Sequence, residues 1–331
     1  MSPRFVPGVV AAALLLGAAV SPVSATCGSA TCFLVTETNE GVGTTGTLRV
    51  DLSFRYVDQT RMLSGTSDVG EVLTPKIDFE NKTIEPDHHR EISTLNTLVQ
   101  LDLAYGASTR TTVLATLPLF NQKNHEHYDD VGTPNEHFTR SDGTSGFGDA
   151  QIGLRYALIV KSKDLLFAGL VAKLPTGAYK LRDSEGAINE PTIQPGSGSY
   201  DFIGSVSYAR HPFPSPLEWF ASGSYRLNRE NALDYRIGDE SIVSAGVSYG
   251  GRGKLQVSLQ VNARRGARDE YRGQRVPSTG AELVALSPGI HYMTATGVTF
   301  YVHLQLPVYE KVNEAQLAPR TGFVLGVSRT F

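Results

Sequence analysis

The sequence predicts an all-β fold: an antiparallel up-and-down transmembrane β-barrel of about 12 strands, with short periplasmic turns and long extracellular loops. Three observations predict it. Apolar and polar residues alternate with a period of two through most of the chain. The connectors between alternating segments are short and long in turn. The chain opens on an export-type leader and closes on an aromatic residue, Phe331.

Strict alternation marks a strand with two different faces. Leu48, Val50, Leu52, Phe54 and Tyr56 alternate with Arg49, Asp51, Ser53 and Arg55. Ile152, Leu154, Tyr156 and Leu158 alternate with Gln151 and Arg155, and Leu255, Val257, Leu259 and Val261 with Gln256, Ser258, Gln260 and Asn262. Read this way, strands fall at residues 46–58, 90–105, 109–120, 147–159, 164–175, 199–210, 216–227, 240–249, 254–265, 280–293, 297–309 and 321–331. Each is long enough to cross a bilayer as a tilted strand, which takes about 9–11 residues. After the leader there is no apolar run of roughly 18 residues, so no helical span is predicted. The mean hydropathy of −0.15 fits a barrel, because only alternate residues face lipid.

Short connectors lie at 106–108, 160–163, 211–215, 250–253 and 294–296. Long polar ones lie at 59–89, 121–146, 176–198, 228–239, 266–279 and 310–320. An even number of strands returns the C-terminus to the side on which the barrel began. A soluble β-sandwich also has short strands and frequent turns, but nothing requires its loops to alternate in length.

Residues 1–25 read as a signal peptide: Arg4, an apolar centre over 9–20, then Val23-Ser24-Ala25 as a small-residue exit. Residues 26–45 then form a periplasmic or plug segment, and 46–331 the barrel. Cys27 and Cys32, the only cysteines, favour a local disulfide in an oxidising periplasm. Their spacing matches neither haem attachment nor a zinc set. A lipid anchor on Cys27 lacks the large aliphatic residue that should precede it. The expected location is the outer membrane of a Gram-negative bacterium, after cleavage of the leader. The net charge is −3, or −4 once Arg4 leaves with the leader, which argues against nucleic acid as a partner.

If the apolar face meets lipid and lipopolysaccharide, the other face lines the lumen. It carries Arg49, Arg55, Arg155, Lys173, Arg226 and Arg264 together with Asp51, Asp102, Asp149, Asp201, Glu218 and Glu282. The signs balance, which suggests ion-pair networks or a weakly selective pore. Twelve strands lie between filled small barrels and open porins.

His88, His89, His125, His127 and His137 lie in or beside the first two long connectors, with acidic neighbours. Imidazoles and carboxylates together can bind transition metals. Solvated polar loops are the plainer reading, since no closed ligand spacing is present. Enzyme signatures are missing: there is no Gly-x-Ser-x-Gly elbow and no His-Glu-x-x-His site. Ser287 and His291 share a strand face but lack the asparagine–histidine–serine constellation of outer-membrane phospholipases. No catalytic residue and no cofactor is expected.

Phe323, Leu325, Val327, Arg329 and Phe331 share one face. The pattern resembles the terminal signal by which barrel-assembly machinery recognises outer-membrane proteins. Arg329 departs from it and can snorkel to the interface.

The run Ser145-Gly146-Phe147-Gly148-Asp149-Ala150-Gln151-Ile152-Gly153-Leu154-Arg155-Tyr156 resembles the bacterial "MetA-pathway of phenol degradation" outer-membrane family. So do Leu174-Pro175-Thr176-Gly177 and Leu117-Pro118-Leu119-Phe120. The Cys27–Cys32 region with Asp87-His88-His89-Arg90-Glu91 resembles a cysteine-bearing subgroup of that family. The resemblance implies an outer-membrane barrel that passes small hydrophobic or aromatic molecules, and carries over no catalytic residues. The leading expectation is a passive channel for small solutes. The alternatives are a metal- or ligand-capturing barrel that uses the histidine loops, and a sheath for a partner protein such as a cytochrome, docked in the periplasm.

Overall fold

The structure, a computed structural model, describes residues 44–140, 144–183, 186–211, 215–250 and 254–331. The leader, the cysteine pair and residues 26–43 of the N-terminal segment lie outside them.

Twelve long strands form the wall. They are β1 (Leu48–Ser64), β2 (Thr83–Gly106), β3 (Thr111–Asp129), β4 (Gln151–Val160), β5 (Asp164–Lys173) and β6 (Asp201–Arg210). The second half is β7 (Leu217–Leu227), β8 (Glu240–Tyr249), β9 (Leu255–Gly266), β10 (Ala281–Met293), β11 (Val298–Val312) and β12 (Ala315–Thr330). Each pairs antiparallel with its neighbours in sequence, and β12 pairs with β1 to close the ring. At the seam Arg49 faces Thr330, the Phe331 N–H donates to the Leu48 carbonyl at 2.8 Å, and the Leu48 N–H returns to Phe331 at 3.0 Å. The terminal strand therefore pairs with the first strand, and closure leaves no free edge among the twelve wall strands at the level of the seam.

The two faces differ as the alternation requires. In β4, Gln151, Gly153, Arg155 and Ala157 are buried while Ile152, Leu154, Tyr156 and Leu158 point out. Leu154 keeps 54% of its surface exposed. A girdle of such residues in water would be costly at about 25 cal/mol per Å²; bilayer hydrocarbon removes that cost. The chain is a closed antiparallel β-barrel with an apolar exterior suited to a bilayer.

Several of the expected long loops are not loops. β1 runs on to Ser64, β2 starts at Thr83, β3 continues to Asp129, and β11 and β12 meet at a tight turn through Asn313 and Glu314, where Glu314 adopts φ 48°. A strand at Leu73–Asp78 pairs with β2, and one at His137–Arg140 pairs with β3. The reason is physical. Above the lipid the outward face is wet, so apolar alternation stops while backbone pairing continues.

The remaining connectors fold over the extracellular mouth. Tyr235–Arg236, Glu270–Tyr271 and Gln274–Arg275 form a small three-stranded sheet. Ile77, Tyr235, Tyr271 and Val276 pack together beneath it with Phe79, Ile84 and Ile237. The lid thus has its own apolar core.

Candidate functional site

The site lies where the barrel wall meets this lid, and two β-bulges set its geometry. In β3 the pairing with β2 passes from Gln100–Pro118 to Val99–Phe120, leaving Leu119 as the extra residue. In β2, Ile92 is extra between Glu91–His127 and Ser93–Glu126. A bulge places two successive residues on one side and so changes the numbering of the inward face. Below the bulges Thr112, Thr116, Pro118, Leu98, Gln100 and Asp102 are buried. Above them the inward face is Lys123, His125, His127 and Asp129 on β3, with His89 and Glu91 on β2. The outward neighbours Ser93, Asn124 and Glu126 are polar, so this stretch stands above the lipid belt.

The histidines expected in solvated loops are therefore mostly inside. His89, His125 and His127 are buried, at 3%, 5% and 7% exposure. His89 Nε2 lies 3.0 Å from Glu91 Oε1, and His125 Nε2 lies 3.0 Å from Glu91 Oε2. His125 Nδ1 is 2.8 Å from the Thr94 hydroxyl. Thr74 donates to Glu91 Oε1 at 3.2 Å. His127 Nε2 lies 2.8 Å from Asp129 Oδ2, which also accepts from Thr139 at 3.0 Å. His88 Nδ1 is 3.8 Å from Asp129, and the half-exposed His137 is 3.9 Å from it. Glu190, on the connector between β5 and β6, reaches to 3.7 Å from His89 Nε2.

The charges are mutually adjusted. Burial alone would lower the His89 pKa, but the Glu91 hydrogen bond and the Glu190 and Glu91 charges raise it to about 9. Burial would raise the Glu91 carboxyl, but the imidazoles of His125 and His89 bring it to about 2. Burial holds the Glu190 carboxyl above its ordinary value, opposed by the charge of His89.

This cluster forms part of the wall of a cavity of about 380 Å³ inside the mouth. Its lining includes apolar side chains, among them Ile77, Ile193, Val276, Leu283, Val312 and Leu317. The same lining carries Glu91, Lys123, His125, Glu190, Glu240 and Arg264. Arg264 is ion-paired with Glu240. Lys123 donates to the Thr192 carbonyl at 3.3 Å, where the short 3₁₀ turn Pro191–Ile193 dips inward. Leu283, Ala285 and Gln305 also line it. Gln260, Asn262, Ser287 and His303 are at 0–1% exposure, so they border no water-filled bore.

Of the expected lumen charges, Arg49, Asp51, Arg55, Asp102, Arg155, Glu218 and Arg226 are buried. Tyr301 donates to Asp51 at 2.8 Å, Arg49 donates to Ser328 at 3.2 Å, and Asp102 accepts from Gln100 and Thr116 at 2.6 Å each. Asp149, Lys173 and Asp201 form a buried triad, with Lys173 Nζ at 2.8 Å and 2.6 Å from the two carboxylates. Asp149 also accepts from the backbone of Gly177 at 3.0 Å and of Ser197 at 2.8 Å. It anchors a connector. A Cβ on Gly177 would sit 2.8 Å from the Cα of Gly196, which explains the glycine that closes Leu174-Pro175-Thr176-Gly177. Glu282 is half-exposed at the cavity's rim: it is paired at 3.7 Å with the exposed Arg265, on the parity opposite Leu283, Ala285 and Ser287, and also reaches the cavity lining. The tight β11–β12 pairing that replaced the expected loop 310–320 extends this end of β10 beyond the belt, where a charge can face outward.

Lys123, Glu190, Glu240, Thr74 and Thr94 were missed. The signal for Lys123 was available: Lys123-x-His125-x-His127-x-Asp129 alternates at period two with no apolar partner face.

A family model described as "Putative MetA-pathway of phenol degradation" matches residues 35–312. No curated protein matches the chain. Among solved structures the chain is similar to an outer membrane channel from Pseudomonas putida F1, with 12% identity and a TM-score of 0.60, covering 87% of this chain and 96% of that one. It also matches the Ralstonia pickettii toluene transporter TbuX at 11% identity and a TM-score of 0.44, covering 94% and 96%.

Proposed function

Starting from the chain's membership of the family of the MetA pathway of phenol degradation, we propose that it is a passive outer-membrane channel for small solutes with an apolar body and a polar end. The observation that carries this reading is the cavity inside the mouth, whose lining combines apolar side chains with a few charged ones. Such a pocket suits a small molecule held by few polar groups and a larger apolar area. Lys123 and the Glu240-paired Arg264 are cations in a lining that also holds Glu91 and Glu190, so a phenol is the favoured solute and an aromatic carboxylate the second. The solute enters beneath the lid, and its onward path crosses the tightly filled level of Gln260, Ser287 and His303, which must rearrange to let it pass. The similarity to the Pseudomonas putida channel supports the reading at the level of fold.

The test is flux into liposomes that contain the refolded barrel. Benzoate and phenol should enter faster than into empty liposomes, and faster than a sugar of similar size. Lys123→Met should slow benzoate more than phenol. Equal flux with and without the barrel for all three solutes rejects the channel.

A further inference from the structure

We infer that the buried imidazole–carboxylate cluster on the vestibule wall is a binding site for a divalent transition metal of the zinc, cobalt or nickel class. The ligands are His89 Nε2, His125 Nε2 and the Glu91 carboxylate, with Glu190 from the β5–β6 connector as the fourth. The ligand atoms of His89, Glu91 and His125 all lie within 4.8 Å of one another. Glu91 bridges the two imidazoles at 3.0 Å on each side, and Glu190 stands 3.7 Å from His89 Nε2. Small inward shifts bring two nitrogens and two oxygens onto one ion at the usual distance of about 2.0–2.2 Å. Mixed imidazole and carboxylate donors suit borderline divalent ions better than calcium, magnesium or copper(I).

The surroundings are those of a metal site. The Thr94 hydroxyl 2.8 Å from His125 Nδ1 fixes the ring with Nε2 directed at Glu91. Thr74 donates to the Glu91 carboxylate at 3.2 Å. Such outer partners orient ligands and are typical of built metal sites. There is an entry path, because Glu91, His125 and Glu190 all line the cavity. The ligands come from two adjacent wall strands and one lid connector, so the ion ties the connector to the wall. The bulges at Ile92 and Leu119 turn these ligands inward.

The site is tested on the full-length refolded barrel in detergent, independently of any flux. Cobalt(II) should give the visible ligand-field bands of a four-coordinate nitrogen and oxygen site, and zinc should abolish them at one equivalent. The double variant His89→Gln, His125→Gln should weaken zinc binding about tenfold or more, while His211→Gln, elsewhere in the chain, should leave it unchanged. Heat-modifiable gel migration reports whether each variant is folded. If the double variant does not fold, Glu190→Gln decides, since it leaves both strands intact: its cobalt spectrum must differ from the native one. Zinc binding of equal stoichiometry and affinity in native and folded double variant overturns the proposal, as does an unchanged cobalt spectrum in Glu190→Gln.

Discussion

The membrane belt and the collar above it are built from the same strands but follow different rules. In the belt each strand divides cleanly, with Ile152, Leu154 and Tyr156 out and Gln151 and Arg155 in. In the collar both faces are polar: Asn124 and Glu126 point out, and Lys123, His125 and His127 point in. The difference teaches that alternation of polarity reports the solvent outside, whereas alternation of direction belongs to the backbone. Where lipid ends, the first signal vanishes and the second persists.

The sharpest way to break the comparison is to unbalance the charged interior at the upper end of the belt, where Lys173 pairs with Gln151. Lys173→Met leaves Asp149 and Asp201 buried together without their cation. The expected loss is about 3–5 kcal/mol, read as a shift of the urea midpoint for reversible folding into lipid vesicles. A loss below 1 kcal/mol would mean that water reaches the triad. Lower in the belt the sensitive face is the other one. Leu154→Arg places a charge against hydrocarbon and should cost about 2–4 kcal/mol near the midplane, measured in the same assay. The smallest effect is expected at the cavity's rim: Glu282→Gln breaks only the half-exposed pair with Arg265 and should change stability by no more than about 1 kcal/mol. A larger loss would mean that Glu282 has a buried partner besides Arg265.

The belt was legible in the sequence because lipid imposes a chemical contrast every second residue. All twelve strands and the pairing of β12 with β1 followed from it. The collar was not legible. Residues 121–129 look like a polar loop, since neither face is apolar, yet they continue β3. Two bulges then changed which residue numbers face inward, and no single local residue announces that change. The histidines were noticed as a group, but not their burial or their convergence on Glu91. Glu190 was invisible because its approach depends on the fold of a connector between other strands. Glu282 shows the limit of charge as a sign of the lumen: above the belt a charge can sit at the rim, in the cavity lining and half-exposed at once.

The seam between Leu48 and Phe331 also governs the order of events in folding. Every other pairing between the twelve wall strands joins neighbours in sequence, whereas this one joins the two ends of the barrel. Loop-closure entropy grows with the length enclosed, so the seam is expected to form last. Until then the sheet carries two open edges able to recruit another chain. The final strand is thus a latch, and loss of even its last few residues should favour aggregation over a slightly weaker barrel.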